Sequence, residues 1–76
     1  MNVIIRSALM QDKIIDLLDG GTFSGVSLSY VGKKGIELSF SATGDDIGSL
    51  DVAAIVKSAV KAAEFGKGIM FSVVLR

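Results

Sequence analysis

The chain has 76 residues, half of them apolar, with a mean hydropathy of +0.59 and eight Lys/Arg against eight Asp/Glu. A domain of this size buries only about 60% of the surface its unfolded chain exposes, so this apolar content predicts further burial in an oligomer. Balanced charge leaves no overall field toward nucleic acid or an anionic membrane, and the absence of Cys and His removes disulfides, thiolate and imidazole chemistry and the usual zinc ligands.

The opening MNVIIRSALM lacks the charged start, long apolar core and small-residue cleavage site of a signal peptide. No uncharged apolar run approaches the roughly 18 residues of a membrane span. The expectation is a single cytoplasmic domain over residues 1–76, with no membrane attachment.

Val3 to Arg6 is a short β-branched run and predicts a strand. From Ser7 to Asp19 the period becomes helical, with Met10, Ile14, Leu17 and Leu18 on one side. Ser7 is the expected N-cap, its hydroxyl accepting an orphan amide hydrogen of the first turn, and Gly20 and Gly21 are the expected stop. An alternative makes residues 2–6 helical and the order α-β-β-α-β, but a continuous wheel would turn Arg6 and Ser7 toward the buried half.

Residues 26–41 read VSLSYVGKKGIELSFS. Val26, Leu28, Tyr30, Ile36, Leu38 and Phe40 all fall on even numbers, so any pairing that keeps this parity puts the six on one face. The VGKKG between them, with two glycines and two lysines, predicts the hairpin turn. After a loop from Gly44 to Gly48, Ser49 to Phe65 reads as a second helix. Val52, Ile55, Val56, Ala59 and Ala63 face inward there, with Lys57, Lys61 and Glu64 outward. Gly66 stands where a C′ glycine belongs, and Ile69 to Leu75 is a final, almost wholly apolar strand.

The order β-α-β-β-α-β predicts an α+β two-layer sandwich whose four-stranded, mostly antiparallel sheet runs 4-1-3-2. Element order and length resemble the ferredoxin-like superfold over the whole chain. No signature motif accompanies that resemblance, and a fold hosting many activities does not specify one.

The sequence predicts no enzyme and no cofactor, because the serines have no imidazole to activate them. Two glycine-bearing stretches have structural explanations. In TGDDIGSLD, Asp45, Asp46 and Asp51 bring negative charge where a helix-bound phosphate would sit, so they read as complements of the helix dipole. They also lack the ligand ladder of an EF-hand. In DGGTFSG the glycines follow a helix, the wrong order for a phosphate loop. Asp12, Asp16 and Asp19 form an acidic stripe on the first helix, either a solvated face or a second contact surface.

Helices covering one side of the sheet leave the other side open. That face is expected to carry Ser27, Ser29, Val31, Glu37, Ser39 and Ser41 from the hairpin and Met70, Ser72 and Val74 from the last strand. Base-stacking sheets place aromatic rings there, whereas Phe23, Tyr30, Phe40, Phe65 and Phe71 all have core or margin readings, so nucleic acid is disfavoured. Small hydroxyls let another surface approach without burying charge. The sequence therefore points to a protein-interaction module that self-associates, as a dimer first of all, through the sheet face or an edge strand, with a partner protein as a further occupant. The element order also resembles ACT-type regulatory domains, which implies a small-ligand sensor as the alternative.

Overall fold

The computed structural model describes residues 1–76 and contains two helices and one curled, five-stranded antiparallel sheet. In chain order the elements are β1 (Asn2–Arg6), α1 (Gln11–Leu18), β2 (Thr22–Phe23), β3 (Val26–Lys34), β4 (Glu37–Thr43), α2 (Val52–Ala62) and β5 (Ser72–Leu75). The sheet order is β2-β3-β4-β1-β5, so β1 lies between β4 and β5. The first strand is thus a strand, and the alternative with residues 2–6 helical fails. The four-stranded expectation is corrected to five: Thr22 and Phe23 turn back through Ser24 and Gly25 to pair with Val26 and Ser27.

Alternation on the strands builds the core. Val3 and Ile5 of β1, Val26 and Leu28 of β3, and Leu38, Phe40 and Ala42 of β4 are buried together. Ile14 and Leu18 of α1 and Val52, Val56 and Val60 of α2 close over them. Full burial of one such side chain contributes about 1.5–3 kcal/mol. Phe23, Tyr30, Phe65, Phe71 and Val73 pack around this centre, and Tyr30 meets Phe40 in a tilted pair with ring centroids 5.6 Å apart.

Hairpin parity holds only as far as Tyr30. A bulge between Tyr30 and Gly32 shifts the register, so Gly32 pairs with Ser39 and Lys34 with Glu37. The extra residue, Val31, is 67% exposed, and Ile36 has left the core for the turn, at 52%. Such a bulge bends its strand and increases the local twist.

Both helices are shorter than their periodicity predicts. Ser7 does not cap α1: its hydroxyl donates to the Leu9 carbonyl at 2.7 Å, and the residue is buried. The helix begins after Met10, which adopts the left-handed conformation at φ 58°. Gln11 secures the bend by donating to the carbonyls of Ser7 (2.8 Å) and Gly35 (3.1 Å). Helix α2 begins at Asp51, whose carboxylate accepts the Ala54 amide at 3.2 Å, and stops at Ala63. Gly66 is therefore not a C′ residue. It sits in a following 3-10 turn, where any β-carbon would collide with the Val60 carbonyl. The final strand likewise starts at Ser72, three residues later than its apolar run.

Candidate interaction surfaces

Because Val3 and Ile5 point into the core, Asn2, Ile4 and Arg6 point to the opposite face of the sheet. Pairing extends this face into cross-strand rows: Ser27 with Thr43; Ser29, Ser41 and Asn2; Ser39, Ile4 and Val74; Glu37, Arg6 and Ser72. Ser27, Ser29, Glu37, Ser39, Ser41, Ser72 and Val74 thus share one surface. Met70 does not join them. It precedes β5 and stands 94% exposed in the loop before it.

Glu37, in the end row of the open face, carries its charge cluster. Its Oε2 accepts from Arg6 Nε at 2.9 Å and from Arg76 Nη2 at 3.3 Å. The Arg6 hydrogen bond is the main reason its carboxyl is held below the ordinary value, with the charges of Arg76 and Arg6 adding and partial desolvation opposing. The backbone of Arg76 bonds to Asn2, at the other end of β1. To reach Glu37 its side chain must therefore cross the row of Ile4 and Val74. That crossing accounts for Ile4 being only 5% exposed on the face away from the helices. Beside it lies a cleft of about 270 Å³ lined by Asn2, Ile4, Val31, Ser39, Phe40 and Arg76. The sequence named Glu37 but missed both arginine partners, which are distant in the chain.

The two edges of the sheet differ. Along the first half of β3, from Val26 to Tyr30, the outward backbone is engaged: Val26 and Ser27 pair with β2, Leu28 exchanges bonds with Gly20 and Gly21, and the Tyr30 amide donates to Asp19 Oδ1 at 2.9 Å. Asp19 is thus drawn out of the predicted acidic stripe into a structural role, while Asp12 and Asp16 remain exposed on α1. Along β5 the situation is the reverse. Asn2 and Arg76 exchange both backbone bonds, so the alternation of an antiparallel ladder assigns Val74 and Ser72 to β1 as well. The backbone groups of Val73 and Leu75 point away from the sheet, and no strand lies on that side.

No group of three or more acidic side chains is placed to hold a metal, and no buried side-chain nitrogen or oxygen lacks a hydrogen-bond partner. Of the aspartates near the start of α2, Asp51 caps the helix, while Asp45 and Asp46 are exposed in the preceding turn. No helix is long and apolar enough to cross a membrane. No protein-family model matches the chain, and neither a curated protein nor a solved structure does.

Proposed function

We propose that this chain is a non-catalytic interaction module that self-associates by pairing β5 with β5 of a second copy. The contrast between the two edges carries the reading: β3 is closed from Val26 to Tyr30 by β2, Gly20, Gly21 and Asp19 and is blunted beyond that by Lys33 and Lys34, whereas the apolar β5 offers the amides and carbonyls of Val73 and Leu75. An unpaired apolar edge is a template for strand addition unless it is blunted by charge, proline or a covering element. Residues 72–75 read SVVL and supply none of these.

Antiparallel pairing about a two-fold axis would join two five-stranded sheets into one of ten. The open face is a weaker candidate for self-association, because the sheet is curled and Arg76 already spans its middle. With the two-residue β2 set aside, the order β3-β4-β1-β5 supports a ferredoxin-like core with one added edge strand.

Size-exclusion chromatography with light scattering tests the reading. A dimer is expected at high micromolar concentration, and Leu75→Pro, which removes an outward amide, should convert it to monomer. A wild-type protein that stays monomeric would overturn the proposal.

A further inference from the structure

Overall neutrality hides a strong separation of charge and apolar surface. β1, β3 and α2 end, and α1, β4 and β5 begin, at one end of the molecule. Three loops converge there. Ser7 donates its amide to the Ile36 carbonyl at 2.9 Å, and Gln11 ties Ser7 to Gly35. The chain entering β5 arrives beside them, because Ser72 pairs with Arg6.

This tip exposes four large apolar side chains: Leu9 at 62%, Met10 at 45%, Ile36 at 52% and Met70 at 94%. Lysines flank them. Met10 shares a surface hollow with Asp12, Lys13 and Lys33, and Met70 shares one with Lys57 and Lys61. None of these four lysines is in a salt bridge. The other two acids at this end, Glu37 and Glu64, are paired with Arg6 and Arg76 and with Lys67. The opposite end carries Asp19, Asp45, Asp46 and Asp51.

We infer that this tip docks on the surface of an anionic lipid bilayer, with Leu9, Met10, Ile36 and Met70 entering the interface and the lysines facing the headgroups. Apolar side chains gain by leaving water, and basic residues near an anionic leaflet add attraction that salt screens. The four side chains project from three loops and share no common groove, which suits a fluid surface better than a shaped partner. The acidic end of a second copy matches the charge only. Its loop residues Ile47 and Leu50 are half-buried, leaving little apolar surface to receive four side chains.

The docking mode goes beyond the self-association proposed above and makes the two separable. Antiparallel pairing of β5 turns the two tips of a dimer in opposite directions, so a dimer should bridge two vesicles where a monomer binds one.

Co-sedimentation with phosphatidylglycerol/phosphatidylcholine vesicles, paired with turbidity as a measure of clustering, tests both. Wild-type protein should pellet with these vesicles and far less with pure phosphatidylcholine. The exposed double substitution Lys33→Glu/Lys61→Glu should weaken binding by roughly tenfold or more, as should Leu9→Ser/Met70→Ser, with circular dichroism confirming that each remains folded. Leu75→Pro should bind without clustering. Protein left in the supernatant with anionic vesicles would overturn the inference, and so would equal binding to neutral ones. Self-association that Lys33→Glu/Lys61→Glu abolishes in the absence of lipid would overturn it as well, by assigning the tip to a second copy. Binding without clustering by the wild type would instead count against the β5 dimer and leave the docking tip standing.

Discussion

The Asp19 carboxylate accepts the Tyr30 backbone amide at 2.9 Å across eleven residues of chain, and so closes an outward-facing position of β3. Asp19 follows the last turn of α1, where Gly20 at φ 75° turns the chain back along the strand. One helix end thereby acts as a partial edge strand. In Asp19→Ala the amide becomes available to water or to another chain. The expected cost is about 1 kcal/mol, the usual net contribution of one hydrogen bond, and concentration-dependent association should rise because the open stretch of the β3 edge is lengthened. Chemical denaturation and light scattering on the same variant measure both effects.

That contact also marks the limit of what the residues disclose. Alternation placed Val26, Leu28, Leu38 and Phe40 in the core, and helical periodicity placed Val52 and Val56 there, because these signals are local and repeat along the element. The parity of Ile36 failed because one bulged residue, Val31, reset the register beyond Tyr30. Ser7 failed as a cap because Gln11 and the distant hairpin turn fix the backbone around it. The open-face serines were legible as a polar alternation, whereas the arginines that clamp Glu37 come from the two ends of the chain. A net charge of zero over the whole chain conceals a tip rich in lysine. In each failure the deciding contact joins segments that local pattern cannot connect.

Gly66 is the most tightly enclosed of the glycines. A β-carbon there would be driven into the Val60 carbonyl, which belongs to the last turn of α2 and cannot swing aside as a side chain could. Gly66→Ala should therefore destabilise the fold by about 2–3 kcal/mol through overpacking. Gly68→Ala, two residues on, meets nothing within 4 Å at a φ of −109° and should be neutral or slightly stabilising. Equal urea midpoints for the two variants would refute this account of the 3-10 turn.

Leu75 and Val74 are neighbours with opposite backbone duties. The Leu75 amide points outward and its side chain is 41% exposed, whereas the Val74 amide belongs to the ladder with Ile4. Leu75→Pro should cost less than about 1 kcal/mol, and Val74→Pro about 3 kcal/mol, because only the second removes an internal strand bond. Comparing their denaturation midpoints at a protein concentration where the wild type is monomeric checks the assignment of faces along β5. Similar losses would show that the strand is rotated from the register given above.

The Glu37 clamp sets a pH dependence whose sign follows from its depressed carboxyl. A carboxylate with a lower pKa in the folded than in the unfolded state stabilises the fold fully above its unfolded value of about 4.5, and loses that contribution as pH falls through the lower folded value. Glu37→Gln removes the charge and leaves Arg6 and Arg76 facing a neutral amide. At pH 7 the variant should melt at a slightly lower temperature than the wild type, and the gap should shrink as salt is raised, since the pair is partly solvated. Below the folded value the wild-type side chain is protonated and equally neutral, so the two melting temperatures should converge. Because Arg76 crosses Ile4 to reach Glu37, loss of the clamp should also uncover Ile4. The expected readout is faster amide exchange in the middle of β1 for Glu37→Gln at pH 7, and unchanged exchange there would mean that the arginine stem holds its place without its ion partner.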